Sequence, residues 1–349
     1  MKRRISGGND FWDDFGDGLL NDLLIDEHNR RISYLRVSIT DRCNLNCIYC
    51  RPALRISKLT HEDMLSYEET KRIIAVGAGL GIGKVRITGG EPLVRQDACR
   101  FMATLGQMPG LSDISLTTNG MRLQSCIARL QAAGIRRVNI SLDTLNRKKF
   151  ARIAGVQAFD RVWGGIMAVL SAGFAPVKLN MVVMRGINDD ELADFAALTL
   201  AYPLHVRFIE LMPVTPLPDN NGRAMLADEI REQISARAGA LVPSGSPEPG
   251  ETAERFRLNG AKGELGFISP VSKHFCETCN RLRLTADGKL KPCLLADTFV
   301  DIKGPLRAGA SDETLAGIFQ EAARRKPGYN NSKTIRTDAL PQFMSTIGG

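Results

Sequence analysis

From Ser33 to Glu210 the sequence alternates short β-rich runs with amphipathic ones, and no other feature constrains the fold as strongly. Six strand candidates stand out, at residues 34–39, 85–88, 114–118, 137–141, 177–184 and 206–210. Helical stretches such as 67–76 and 159–172 lie between them. Strand–helix–strand units of this kind build parallel sheets. Because the alternation stops after Glu210, six units predict an α/β fold, a partial (β/α)6 barrel, rather than a closed eightfold one. Residues 213–222 read as a loop, 225–236 as helical, 242–250 as a Pro/Gly/Ser-rich connector, and 256–258 and 264–268 as strand-like. The expected division is a polar arm over 1–31, the barrel over 32–250, and a smaller α+β domain over 251–349.

Fully covered parallel strands are apolar on both faces, yet these alternate. Leu35, Val37 and Ile39 flank Arg36 and Ser38; Val85 and Ile87 flank Arg86; Val177, Leu179 and Met181 flank Lys178 and Asn180. With Arg207 in a fourth strand, the pattern predicts a wet interior lined by Arg36, Arg86, Lys178 and Arg207. Guanidinium forks bind phosphate oxygens bidentately, so such a lumen suits a phosphate-rich ligand. The net charge of +8 points the same way. With 6% aromatic residues and no run of five basic ones, nucleic acid is not the expected partner. No apolar run long enough to span a membrane occurs, and Asp13, Asp14, Asn21 and Asp22 break any signal-like core near the start. Eight cysteines without an export signal read as reduced thiols of a cytoplasmic protein.

Six of those cysteines form two arrays. Cys43, Cys47 and Cys50 are spaced C-x3-C-x2-C directly after the first strand, where barrel active sites form. Three thiolates so close suit an iron–sulfur cluster with one iron lacking a protein ligand. Cys276 and Cys279 form a C-x2-C pair, and a hairpin turning at Ala286, Asp287 and Gly288 returns Cys293 toward them. Here zinc competes, since His274 could complete a Cys3His set. Cys99 and Cys126 fall in helical segments without partners and are expected as buried packing residues. The glycine-rich stretch 77–84 lacks the Walker spacing, having Ala78 and Val85 at required positions, and reads as a helix stop and connector. Thr88-Gly-Gly-Glu-Pro92 follows a strand, so its glycines permit close backbone approach to a ligand, with Glu91 as an acceptor.

Taken together, several motifs resemble those of the GTP 3′,8-cyclase family of radical S-adenosylmethionine (SAM) enzymes, from about residue 32 to the end. They are Tyr34-Leu-Arg-Val-Ser, Thr40-Asp-Arg-Cys43 through Cys50, Thr88-Gly-Gly-Glu-Pro92, Thr117-Thr-Asn-Gly120, Asn139-Ile-Ser-Leu-Asp143, Lys178-Leu-Asn180, Arg207-Phe-Ile-Glu210, Cys276 through Cys293, and the terminal Ile347-Gly348-Gly349. The resemblance implies a radical SAM barrel carrying two 4Fe-4S clusters, one held by Cys43, Cys47 and Cys50 and a second by Cys276, Cys279 and Cys293 in the C-terminal domain. Tyr49, Gly90, Ser141 and Met212 match SAM contacts. Arg36, Arg86, Thr117, Lys178, Arg281, Leu282 and Arg283 match contacts to the substrate GTP. Catalytic positions by the same resemblance are Arg36, Arg207, Arg281, Arg283, Gly348 and Gly349.

The implied reaction converts GTP to (8S)-3′,8-cyclo-7,8-dihydroguanosine 5′-triphosphate, the first step of molybdenum cofactor biosynthesis. It starts with hydrogen abstraction from the ribose 3′ carbon by a SAM-derived radical. The implied partners are an external one-electron reductant, the cyclic pyranopterin monophosphate synthase as the next enzyme, and a second copy in a homodimer. Arg51 stands where the family usually has Met, and Lys326-Pro327 is followed by Gly-Tyr-Asn-Asn in place of a His-containing run.

Overall fold

A computed structural model describes residues 23–50, 58–212, 220–245, 250–328 and 347. The six expected strands form as β1 (Tyr34–Ser38), β2 (Lys84–Thr88), β3 (Asp113–Thr118), β4 (Arg137–Ser141), β5 (Val177–Val183) and β6 (Leu204–Glu210). They pair in chain order and are all parallel. Between them run α1 (Tyr67–Gly79), α2 (Ala98–Leu105), α3 (Leu123–Ala132), α4 (Arg147–Ala154), α5 (Phe159–Ser171) and α6 (Leu192–Ala201). α1 starts at a reciprocal cap: Glu69 N–H donates to Ser66 Oγ at 3.0 Å, and Ser66 N–H donates to Glu69 Oε2 at 2.7 Å. It ends in the glycine-rich connector, where Gly81 at φ +88° turns the chain toward β2.

Beyond β6 come α7 (Asn220–Arg223), α8 (Ala227–Ala238), β7 (Val242–Pro243), β8 (Ala253–Arg257), β9 (Glu264–Ile268), β10 (Arg281–Leu284), β11 (Lys289–Lys291), β12 (Val300–Asp301), α9 (Lys303–Arg307) and α10 (Asp312–Arg324). These strands do not build a sheet of their own. β9 adds to β6 in parallel and β10 adds to β1 in parallel. Antiparallel β8–β7 and β11–β12 then extend each side into one twelve-stranded sheet. An open six-stranded barrel leaves two edges of unpaired backbone groups, and the C-terminal segment covers both. The alternation seen within 34–210 carries no information about that long-range pairing.

Outward positions such as Leu35, Val37, Val85, Ile87, Leu179, Val206 and Leu282 are buried against the helices. The inward positions between them are the polar ones. The end of the expected N-terminal arm is docked: Leu24 and Ile32 are buried, and Leu24 N–H donates to the Leu80 carbonyl at 3.0 Å. Residues 1–22, Arg51, residues 213–219 and 246–249, Gly348 and Gly349 lie outside the described residues. No single described helix is long and apolar enough to cross a membrane.

Candidate active site

The inward faces of β1 to β6, β9 and β10 converge on one cavity, lined among others by Arg36, Arg86, Thr117, Asn180, Arg207 and Arg283. Cys43, Cys47, Cys50, Tyr49, Gly90, Ser141 and Met212 line the same space. The curled sheet therefore brings the first cysteine array, the expected SAM contacts and most of the expected cations into one lumen.

The cysteine loop follows the C-terminal end of β1 and is held from three sides. Asn46 and Ile48 N–H groups donate to the carbonyls of Ala154 and Ile153 at the end of α4, both at 2.9 Å. The turn after β2 folds back on the approach to the loop, with Gly90 N–H to the Thr40 carbonyl at 2.7 Å and Glu91 N–H to the Arg42 carbonyl at 2.8 Å. A Cβ on Gly90 would strike the Arg42 carbonyl, so this glycine admits the chain's own backbone as well as facing the cavity. On the third side, the Tyr49 hydroxyl donates to Asp143 Oδ2 at 2.8 Å, while Asp143 Oδ1 accepts from Val182 N–H at 2.9 Å. Burial pushes the Asp143 carboxyl up to about 6.

Glu91 is fully enclosed and burial pushes it up to about 7. It accepts from Leu93 N–H at 3.0 Å, Thr118 Oγ1 at 2.8 Å and Asn119 N–H at 2.6 Å. The Asn119 amide in turn reaches Asn44 Oδ1 at 2.8 Å and Cys43 Sγ at 3.8 Å. Glu91 thus positions a residue that touches the cysteine loop.

Burial, then Asp143 and the neighbouring cysteines, push the Cys47 thiol well up. Three half-buried thiols on one loop repel one another when ionised, and a cationic group that joins them relieves that repulsion. Among the described residues no three His, Cys, Asp or Glu side chains converge closely enough for a single ion. The three cysteines line one cavity beside the expected SAM contacts, and a set of three thiolates suits an iron–sulfur cluster with one iron left open. The residues present fit that group.

Across the sheet, Arg283, Arg36, Arg86, Ser115 and Arg137 stand at one register level on β10, β1, β2, β3 and β4. Burial, then Arg283, Arg86 and Arg281, hold the Arg36 guanidinium well below its ordinary value. Arg207 comes down to about 10 through burial and then Arg86, and Arg283 to about 10 through burial and then Arg281. Lys178 stands one inward position before Asn180 but is not among the residues that line the cavity, and burial followed by Arg207 brings it to about 7. Cations that depress one another's proton affinity make a lumen complementary to a polyanion. Tyr34 Oη and Asn180 Oδ1 are buried without a hydrogen-bond partner among the described residues, a further mark of a ligand-facing wall.

The second array lies at the opposite end of these strands. Arg281, two residues after Cys279, pairs with Tyr34 at the start of β1, whereas Cys43 follows its end. The strand between them spans roughly 13 Å at about 3.3 Å per residue. The β10–β11 hairpin returns Cys293, so that Cys276, Cys279 and Cys293 line a second cavity with His274 and Lys326. Met212, Arg281 and Arg283 line both cavities. Burial works to raise the Cys279 thiol, but Arg281 and Lys326 outweigh it and hold the group down to about 6.

Not every expected site residue faces the lumen. The Leu282 side chain is buried on the outward face, so only its backbone can meet a ligand there. Cys99 and Cys126 are buried in α2 and α3 as expected, where the two helices pack on each other. The sequence reading set Asn180 on the polar strand face and quoted Asp143 and Lys326 within motifs without giving any of the three a role in the site, and it did not single out Arg137. Asn180 was findable, because it alternates in step with Lys178.

Two family models cover the chain in succession: the radical SAM superfamily over residues 37–199 and Molybdenum Cofactor Synthesis C over residues 204–332. Among curated proteins, the GTP 3′,8-cyclase of Heliobacterium modesticaldum is 49% identical over 327 residues, covering 93% of this chain and 100% of that protein. The GTP 3′,8-cyclase of Moorella thermoacetica is 49% identical over 324 residues, covering 93% and 99%. Among solved structures, Streptococcus suis SuiB bound to its precursor peptide SuiA superposes with a TM-score of 0.60 at 17% identity, covering 90% of this chain and 76% of that one. SuiB bound to S-adenosylmethionine gives 0.56 at 15%, covering 86% and 69%. At such identities these structures speak for the fold alone. Near-half identity along the whole length of the curated relatives goes further: the chain belongs to the GTP 3′,8-cyclase family of radical SAM enzymes.

Proposed function

We infer that the chain converts GTP to (8S)-3′,8-cyclo-7,8-dihydroguanosine 5′-triphosphate, the first step of molybdenum cofactor biosynthesis. The observation that carries this reading is one lumen with a three-cysteine loop at one end and a row of mutually repelling cations along its wall, in a chain about half identical to curated GTP 3′,8-cyclases. Cys43, Cys47 and Cys50 would hold a 4Fe-4S cluster, with Tyr49, Gly90, Ser141 and Met212 around SAM. On receiving one electron, that pair supplies the carbon radical the reaction needs.

The remaining work belongs to the chain. Arg36, Arg86, Lys178 and Arg207 clamp the triphosphate, with Thr117, Arg281, Arg283 and the Leu282 backbone holding the nucleoside. Such clamping sets the ribose 3′ carbon at reaction distance from the SAM site. Cys276, Cys279 and Cys293 would hold a second 4Fe-4S cluster facing the guanine. Its support is a cavity lined by three thiols with Arg281 and Lys326 beside them, in a segment that matches Molybdenum Cofactor Synthesis C; His274 lines the same cavity, so the family resemblance rather than the geometry favours a cluster over zinc here. The terminal Gly348 and Gly349 complete the proposed catalytic set.

This reading carries an external one-electron reductant, a cytoplasmic setting that keeps thiols reduced, and a homodimer. Its product passes to the cyclic pyranopterin monophosphate synthase, and neither nucleic acid nor a membrane takes part. The test is anaerobic incubation with SAM, dithionite and GTP after iron and sulfide reconstitution. Both 5′-deoxyadenosine and a cyclised guanine product should form; SAM cleavage that GTP leaves unchanged, with no cyclised product, would overturn the assignment.

A further inference from the structure

Lys326 is 4% exposed, and its ammonium forms part of the wall around Cys276, Cys279 and Cys293. It donates to the Arg281 carbonyl at 2.8 Å and to the Pro292 carbonyl at 2.9 Å. Cys279 stands on the same cavity wall. Arg281 lies two residues past Cys279, and Pro292 immediately precedes Cys293. One ammonium therefore ties together the two arms of the hairpin that carry the cysteines.

None of these acceptors is a carboxylate, and Lys326 makes no ion pair among the described residues. Burying an ammonium is costly unless a negative group compensates it. The cavity wall that Lys326 shares with Cys276, Cys279 and Cys293 carries no Asp or Glu among the described residues, so a negative group held by those three thiols is what would compensate the ammonium.

Arg30, 8% exposed, grips the same place from the N-terminal side. Its Nε pairs with Asp26 Oδ2 at 2.5 Å, which neutralises its charge. Its Nη1 donates to the Cys276 carbonyl at 2.6 Å and its Nη2 to the Pro327 carbonyl at 3.0 Å. The segment before β1 and the segment after α10 are thus pinned to each other and to the second array.

We propose that Lys326 is the charge-compensating and positioning residue of the Cys276, Cys279 and Cys293 site, with Arg30 locking the backbone that carries it. Its fixed positive charge favours the reduced state of the group held there, because reduction adds negative charge beside it. The inference rests on the second-cluster reading above.

The test uses the full chain with Cys43, Cys47 and Cys50 all replaced by Ala, so that the second site is observed alone. After anaerobic reconstitution, iron and sulfide content are measured and an electron paramagnetic resonance titration gives the midpoint potential. Lys326→Met keeps length and removes charge, so its potential should move to more negative values, and Lys326→Arg should return most of the shift. A parent that holds only zinc or no cluster overturns the second-cluster reading itself. A parent with a cluster whose potential is the same in Lys326→Met overturns the role of Lys326 alone. If Lys326→Met retains no cluster, recovery of iron in Lys326→Arg supports a charge role, and loss in both variants overturns it.

Discussion

Arg36 on β1 and Arg283 on β10 occupy one register position of adjacent parallel strands, a half-buried guanidinium group beside a buried one. Their mutual repulsion opposes folding in the free protein and favours any polyanion that enters between them.

Replacing Arg283 by Ala should therefore separate stability from binding. Without nucleotide, the melting temperature of the Ala variant should change little, because relief of the repulsion offsets the contacts that the buried Arg283 side chain loses. With GTP, affinity should drop by about 10- to 100-fold, given about 1.5–3 kcal/mol for a hydrogen bond to a charged group. Arg281→Ala, two residues away on the same face, should weaken GTP similarly. Calorimetric titration of both variants, clusters intact, reads this; wild-type affinity in each would assign the hairpin cations to solvent instead of substrate.

Lys178 makes the pH dependence of binding predictable. Burial and then Arg207 bring its folded-state value to about 7, below the ordinary lysine range. Above about pH 7 the free protein has lost this charge, whereas a triphosphate beside it favours the protonated form. GTP binding should then take up a proton at pH 8, and affinity should fall as pH rises from 7. Calorimetry at pH 8 in two buffers of different ionisation enthalpy measures the uptake. Lys178→Arg, charged throughout, should show less uptake and a flatter profile; identical uptake in the two proteins would clear Lys178 of the effect.

The two cysteine arrays sit at opposite ends of β1, which divides their work. Cys47→Ala should abolish SAM cleavage, since Cys47 lines the cavity with the expected SAM contacts. Cys276→Ala should leave reductive SAM cleavage measurable while removing GTP conversion, since Cys276 lines only the second cavity. Chromatographic measurement of 5′-deoxyadenosine and of cyclised product under matched folding decides it. Equal loss of SAM cleavage in both would contradict the division.

Local pattern explains which parts of this site were legible before the fold was known. Arg36, Arg86, Lys178 and Arg207 could be nominated because each is a polar step in a period-two apolar run, and a strand carries that period in its own residues. The same period did not reveal that β10 joins β1, since strand pairing depends on edges left open elsewhere in the chain. Lys326 was invisible as a site residue because its acceptors, Arg281 and Pro292, lie 45 and 34 residues away. Asp143 meets Tyr49 across 94 residues, and Cys99 meets Cys126 only because α2 packs on α3. Leu282 was carried over through its motif, and the side chain's outward direction follows once its neighbours Arg281 and Arg283 face in.

The C-terminus offers the last test. A terminal segment of small and polar residues ordinarily frays and tolerates deletion. Here Ile347 is buried to 6% exposure, so the chain is anchored one residue before Gly348 and Gly349. Two residues without side chains can enter a crowded space that any Cβ would block, which suits the catalytic role proposed for them. Deleting both should leave iron content, SAM binding and the fold intact, because the six array cysteines, the expected SAM contacts and the Ile347 anchor are all retained. Cyclised product should fall by at least about tenfold, the loss expected from about 1.4 kcal/mol of misplaced transition-state contact. Single-turnover assays with GTP, read for product and for 5′-deoxyadenosine separately, distinguish the outcomes. A truncated protein with wild-type product yield would reduce the tail to the Ile347 anchor alone.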